Sequence, residues 1–311
     1  MCIRDSNNIY TEYQIGKSFK KLGLQCLAGT LYTQSWTIAE LYSDARFTHR
    51  NLAFFGQIEK SLFSRLILIG GLRYESYQIN GPETLSGVTI DPKVTEDTTL
   101  FRFGFNYRVF KATYLRGSYG QGYRFPTIAE KFISTKAGGL SIVPNPNLHS
   151  ERGSSFELGI KQLLKFGNLE GLIDFSVFQS RYYDMMEFVL NNQLQFQSRN
   201  IGDTDIRGFE LELLARKQIG EVKLTFGGGY TYINPKYLEF DLAGKQLPIN
   251  GRDTASRAKQ NAANSSSDEN ILKYRSKHLF RSDIQVDYKS LYMGLAFNYA
   301  CLLYTSDAAD E

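Results

Sequence analysis

Between residues 99 and 108 apolar and polar side chains alternate strictly. Phe101, Phe103, Phe105 and Tyr107 share one parity, and Arg102, Gly104, Asn106 and Arg108 share the other. A period of two is the signature of a strand, whose side chains point alternately to opposite faces. The pattern recurs along the chain. Leu66, Leu68, Leu72 and Tyr74 oppose Arg73 and Glu75; Leu169, Ile173, Phe175 and Val177 oppose Glu170, Asp174 and Ser176; Phe280, Ile284, Val286 and Tyr288 oppose Arg281, Asp283, Gln285 and Asp287. Twelve segments read as strands: 9–15, 22–33, 50–60, 65–79, 99–108, 112–123, 154–164, 169–189, 193–217, 222–233, 274–288 and 291–299, with a disruption expected at IGDTD inside 193–217.

The connections add a second pattern. Short turns fall at GKSFKK, SLFS, VFK, KFGN, QIGE and YKS; long connections fall at 34–49, 80–98, 124–153 and 234–273, and only 190–192 breaks the alternation. Tight turns therefore gather at one end of the sheet and large loops at the other. A soluble sandwich also alternates, but it turns the apolar face inward and mixes loop lengths. A membrane barrel turns that face to lipid, lines its lumen with polar groups and keeps its short turns at one end. The predicted fold is all-β: an antiparallel, up-and-down transmembrane β-barrel, with about twelve strands of a larger barrel. Arg102, Arg116, Glu157, Glu210 and Glu212 then face the lumen, where they pair with one another along the wall or meet a further domain. The stretch 250–270, rich in Asn, Ser, Asp and Arg, reads as a solvated, mobile loop.

Composition changes the picture at the ends. MCIRDS and CLLYTS can be encoded by opposite strands of one short DNA tag resembling a sequencing adapter, so residues 1–6 and 301–311 read as translated scars and 7–300 as the partial barrel. Trimming removes Arg4, Asp5, Asp307, Asp310 and Glu311, which moves the formal charge from +4 to +7. That surplus is not concentrated as a nucleic-acid partner requires. Cys2 and Cys301 fall in the scars, leaving Cys26 alone, so neither a disulfide framework nor a cysteine metal cluster is expected. With 20 Tyr, 22 Phe and 27 Gly against 7 Pro, the chain suits strands and aromatic girdles. No run of about 18 apolar residues exists to form a membrane-spanning helix.

Catalytic chemistry is not visible. His49, His149 and His278 are the only histidines, and none has a neighbour at metal-ligand spacing. His149-Ser150-Glu151 cannot form a relay as adjacent residues, because successive side chains of an extended chain diverge. GGGYTY at 227–232 is strand glycine that opens no helix, and no phosphate-cradling loop is present. No catalytic residue, metal ligand or cofactor is assigned, and the chain does not read as an enzyme. An outer-membrane hydrolase would need a nucleophile beside a histidine at the external rim.

Four patches together resemble the TonB-dependent outer-membrane receptors. YLRGSYGQGYRFPTIAEKF at 114–132 is similar to that family's Gly-rich strand followed by aromatic-Arg-x-Pro-x-x-x-Glu. NPNLHSERGSSFELG at 145–159 resembles its Asn-Pro-x-Leu-x-x-Glu and Glu-x-Gly strand. NIGDTDIRGFELE at 200–212 resembles its Asn…Gly-x-Glu strand, and YRSKH at 274–278 its Arg-x-x-His segment. Ser150 and Ser276 stand where the family often has proline, and neither a plug domain nor an energy-coupling TonB box is visible. The resemblance implies a Gram-negative outer-membrane location and active import of a scarce ligand: a ferric siderophore, haem, cobalamin or a glycan. It implies as partners the TonB complex, outer-membrane lipid and the small-molecule or glycan ligand. Trp36, Tyr123 and Arg124 are the candidate ligand contacts in external loops, since aromatic faces suit sugars and planar chelates and Arg suits anions. A passive outer-membrane pore is the alternative. Gly117, Gly120 and Gly122 are expected to permit close approach of a neighbouring backbone or plug, Pro126 to end ladder pairing, and Asn145-Pro146-Asn147 to form a turn.

Overall fold

The computed structural model describes residues 3–39, 41, 44–85, 88–137, 139–190, 195–238 and 276–301. Among the described residues sixteen strands follow one another. The first eight are β1 (Ile3–Phe19), β2 (Leu24–Ala39), β3 (Arg46–Leu62), β4 (Leu66–Asn80), β5 (Thr84–Leu85), β6 (Val88–Thr89), β7 (Lys93–Phe110) and β8 (Thr113–Arg124). The short helix α1 (Ile128–Phe132) precedes β9 (Thr135–Ala137) and β10 (Leu140–Ile142). Then come β11 (Glu151–Phe166), β12 (Leu169–Leu190), β13 (Phe196–Ile219), β14 (Val222–Tyr237), β15 (His278–Tyr288) and β16 (Leu291–Ala300). The twelve long strands form one antiparallel meander in the order β1-β2-β3-β4-β7-β8-β11-β12-β13-β14-β15-β16, while β5 and β6 make a separate hairpin and β10 touches β13 in parallel. No described helix is long and apolar enough to cross a membrane, which leaves strands free to do so.

The register carries the alternation across the sheet. One row runs Tyr107–Leu115–Ile160–Phe175–Leu211–Tyr230–Phe280–Tyr299, apolar or aromatic at every position. The adjacent row, on the other face, runs Arg108–Tyr114–Lys161–Asp174–Glu212–Gly229–Arg281–Asn298. Burial says which face is sheltered. Phe101, Phe103 and Phe175 are 55%, 50% and 39% exposed, whereas Asp174 and Glu75 are 8% and 6% exposed. The greasy face points outward and the charged face inward. A soluble sandwich requires the reverse.

The outward face has edges. On β12 the outward positions from Leu169 to Val177 are aliphatic, aromatic or glycine; above them Gln179 and Arg181 join Arg207 around Asp205. Nine strand residues span about 30 Å, and a tilt near 35° brings that to about the 25 Å of a bilayer-facing band. Strands of 22 and 24 residues, β12 and β13, therefore overshoot the hydrocarbon and continue as water-exposed walls. At the tight-turn end Phe19, Phe63, Phe110, Phe166 and Tyr288 are all exposed, which builds one aromatic girdle where strands leave the hydrocarbon.

The structure meets some expectations and changes others. The connection expected at 34–49 is mostly strand, because β2 continues to Ala39 and β3 starts at Arg46, paired from Trp36–Thr48 to Ile38–Arg46. Beyond the lipid band backbone groups can still pair with a neighbour, so a ladder need not stop at the hydrocarbon. β1 begins at Ile3, opposite Ala39 to Thr37 of β2, a pairing that does not bear on the origin of residues 1–6. The expected disruption at IGDTD is present as a bulge: the β12–β13 register slips around Met185, with Asp184 and Gly202 at φ 54° and 117°. Of the three glycines of β8, only Gly117 is covered, and by the ring of Phe105 across the strand pair instead of a neighbouring backbone; Gly120 and Gly122 face open space within the chain. The stretch 250–270, the brief connection at 190–192 apart from Leu190, and Tyr274–Arg275 lie outside the described residues.

The dry core sits at the long-loop end. Phe47, Ile79, Leu85, Ile90, Phe125 and Phe132 bury one another there, with the Phe47 and Phe132 rings stacked at 4.8 Å. The loop after β8 thus folds in over the mouth of the sheet.

Candidate functional site

The inward wall is organised by three arginines that each cross a glycine. Arg281 on β15 lies over Gly229 of β14 and donates to Glu212 on β13 at 2.8 Å, all three in one register row. Arg102 on β7 lies over Gly71 of β4 and donates to Gln57 on β3, again in one row. Arg116 on β8 lies over Gly159 of β11, donates to Glu157 at 3.0 Å and reaches Asp174 on β12, which also meets Lys161 at 3.1 Å. A Cβ built on Gly229, Gly71 or Gly159 would stand 3.0, 2.7 or 2.8 Å from the crossing arginine. Strands lie about 4.8 Å apart, so a side chain reaching two strands away must pass flat over the one between. Only glycine leaves that path clear. The arginines are held against the wall and do not project into the lumen. Among the five wall charges expected to pair with one another, Arg116 and Glu157 do so; Glu212 pairs with Arg281 and Arg102 with Gln57, while Glu210 lies beside the Arg281 strap in a hollow of about 400 Å³ with Thr231 and Asn298.

The mouth is tied by the motif residues. Thr127 and Glu130 form a capping box that starts α1: the Thr127 hydroxyl accepts the Glu130 amide at 3.1 Å, and Glu130 accepts the Thr127 amide at 2.9 Å. Arg124 donates to Glu130 at 2.6 Å and to Glu151 at 3.2 Å, pinning the helix to β11. Burial alone would raise the Glu130 carboxyl; the Thr127 and Arg124 hydrogen bonds outweigh it and hold that group below its ordinary value. Burial lowers the Lys131 ammonium, which donates to the Leu148 carbonyl at 2.8 Å. Asn145 donates to the Ser198 carbonyl, and Asn200 accepts the His149 amide at 2.9 Å and returns a bond to its carbonyl at 3.0 Å. Three of the four motif patches therefore converge on one latch over the lumen. Aromatic rings line the space beneath: Tyr77 stacks on Phe125 at 5.2 Å and packs against Tyr123 at 5.8 Å, and His49 stacks on Tyr77 at 5.6 Å.

The candidate ligand contacts are separated by this arrangement. Trp36 stands on the upper part of β2 opposite Thr48, half-buried. Tyr123 donates to Glu96 at 2.8 Å and meets Ser150 at 2.9 Å beside the aromatic cluster, whereas Arg124 is occupied by Glu130 and Glu151. His149-Ser150-Glu151 forms no relay: Ser150 bonds Glu96 and Tyr123, and Glu151 bonds Arg124 and the Met186 amide. Sequence reasoning missed Glu96, Tyr77, Phe125 and His49 as companions of Tyr123. The Thr127-x-x-Glu130 spacing was a readable signal for the helix; the aromatic cluster, drawn from β3, β4 and β8, had none. His278, closing the fourth patch, accepts or donates at Nδ1 to the Tyr230 hydroxyl at 2.7 Å and lies against Tyr232.

Comparison with known proteins agrees with this architecture. The hemophore receptor HasR of Serratia marcescens, solved with its hemophore HasA and heme, superposes at a TM-score of 0.67 over 95% of this chain and 51% of its own, at 14% identity. The copper transporter OprC gives 0.66 over 95% and 42% at 14% identity, and the FrpB iron transporter of Neisseria meningitidis 0.59 over 94% and 42% at 13% identity. In sequence, 84 residues are 32% identical to the hemoglobin-haptoglobin utilization protein B of Neisseria meningitidis serogroup C, which is 27% of this chain and 10% of that protein. The chain thus spans about half or less of each relative. The family described as TonB dependent receptor-like, beta-barrel, matches residues 5–309, and with that match the chain belongs to the β-barrel family of TonB-dependent receptors.

Proposed function

We propose that this chain forms the strand wall of a Gram-negative outer-membrane receptor that imports a scarce ligand with energy delivered through the TonB complex. The observation that carries the reading is the two-faced sheet: a bilayer-high apolar band outward and a polar wall of flattened arginine pairs inward. A lipid-facing barrel needs the first. A lumen that must stay passable needs the second, because straps laid across glycine leave the centre clear. The ligand class is a ferric siderophore, haem, cobalamin or a glycan, and haem, iron and copper figure in the names of the structural relatives. Tyr123, with Trp36 and Arg124, is the candidate contact set, and Tyr77, Phe125 and His49 extend its aromatic surface. The receptor carrying this chain is tested by uptake of labelled ligands in otherwise receptor-deficient cells, with and without TonB. Uptake is expected only with TonB. Equal uptake in both strains would make the protein a passive pore and end this reading.

A further inference from the structure

The outward apolar band is interrupted over β1–β4. Most of the band carries Leu, Ile, Phe or Tyr, but here Ala28 and Gly56 are cross-strand partners and Gly70 lies in the next outward row, opposite Ile58, and the three sink a groove of about 850 Å³ into the outward face. Ile15 and Leu72 flank Ala28 and Gly56 in one row, and Ile58 and Phe103 flank Gly70 in the next, with Tyr119 beyond Phe103. Lys17 lines the groove as well, with its ammonium 5.2 Å from the Phe19 ring in the girdle. The turn below brings Lys20 and Lys21, and Lys60 reaches back to the Leu22 carbonyl.

Charge sets this rim apart. Elsewhere at this end Lys165 meets Glu170 at 3.1 Å, Lys289 meets Glu221 at 3.1 Å and Lys223 meets Asp287 at 3.6 Å, and Lys111, which has no carboxylate partner among the described residues, is the single lysine of its turn. Lys17, Lys20 and Lys21 have no carboxylate partner among the described residues. Unpaired cations at the edge of a lipid-facing band, directly below an apolar groove, match one kind of molecule in both parts. We propose that this groove is a specific site for an anionic phospholipid of the leaflet at the tight-turn side: an acyl chain lies between Leu72 and Phe103, and the phosphate meets Lys17, Lys20 and Lys21. The site rests on the reading that this face meets lipid. Ordinary annular lipid would show no preference for head-group charge, whereas each juxtamembrane lysine favours an anionic surface enough for about five-fold.

The test places the chain's single tryptophan in the groove wall by combining W36F with Y119W. The protein is folded into phosphatidylcholine vesicles in which a minor share of lipid is brominated on the acyl chains, as phosphatidylglycerol or as phosphatidylcholine, and vesicle-bound protein is isolated by flotation. Brominated phosphatidylglycerol is expected to quench at a mole fraction at least about five-fold lower than brominated phosphatidylcholine, the preference of a single lysine. G70L fills the groove, at a position where an added Cβ meets nothing within 4 Å, and K17Q/K20Q/K21Q removes the charge. Each is expected to abolish the preference. Equal quenching by the two lipids, or a preference surviving both variants, overturns the site and leaves the barrel reading intact. Floated protein quenched by neither lipid overturns the lipid-facing assignment itself, and the proposed function with it.

Discussion

Gly159→Ala separates the strap from ordinary strand chemistry. Glycine inside a strand costs roughly 0.5–1 kcal/mol relative to alanine, so propensity alone makes this substitution stabilising. The structure argues the opposite sign. The new Cβ would stand 2.8, 2.9 and 3.1 Å from Cζ, Nη1 and Nη2 of Arg116, where ordinary contact begins near 3.4 Å. The guanidinium must rise off the wall, and it is held there by Glu157 and Asp174. Hydrogen bonds between charged groups contribute about 1.5–3 kcal/mol. The Arg116 side chain is 31% exposed, so water recovers part of that, and the lower end, about 1.5 kcal/mol, applies. The net expectation is a loss of about 0.5–1 kcal/mol. With Arg116→Ala in place nothing crosses Gly159, and the same substitution should become stabilising by roughly 0.5–1 kcal/mol. Urea unfolding of the vesicle-inserted protein, followed by Trp36 as its one tryptophan, reads both backgrounds through the midpoint at unchanged slope. The coupling of about 1.5 kcal/mol exceeds the roughly 0.5 kcal/mol scatter of independent sites. An identical change in both backgrounds would refute the strap.

Other substitutions probe the remaining features. Phe175→Lys, on the outward row, should cost about 2–4 kcal/mol at the middle of the band in the same titration. Gly208→Ala would place a Cβ against the Tyr232 carbonyl oxygen and the Phe178 ring; because backbone cannot step aside, a loss of about 3 kcal/mol is expected in the same assay. Thr127→Ala removes the capping box of α1 and should speed amide exchange at Glu130 and Lys131 through a local loss of about 1 kcal/mol, with the global midpoint unchanged. Glu130 also makes the latch acid-sensitive. Its folded value is depressed, so its contribution is complete above the ordinary glutamate value of about 4.3 and disappears as pH falls through the lowered folded value. Exchange at Glu130 and Lys131 should accelerate over that window in the native protein, and Glu130→Gln should flatten the dependence.

The faces of the sheet were legible in the chain by itself. Alternation is a property of neighbours, so Phe101, Phe103 and Phe105 had to leave one side of a strand while Arg102 left the other, and the outward exposure of Phe101 and Phe103 follows. Tight turns against long connections fixed which end is which for the same reason: their lengths are local. What joins distant strands was not legible. Arg281, Gly229 and Glu212 make a strap only because β13, β14 and β15 align in one register, and no local pattern distinguishes Gly229 from Gly227, which shares its face. The mouth gathers Glu96, Tyr123 and Ser150 from β7, β8 and the loop before β11, and in such irregular segments side-chain direction has no period to follow. Alternation decides the side on which a residue stands, and only pairing between strands decides what it meets there.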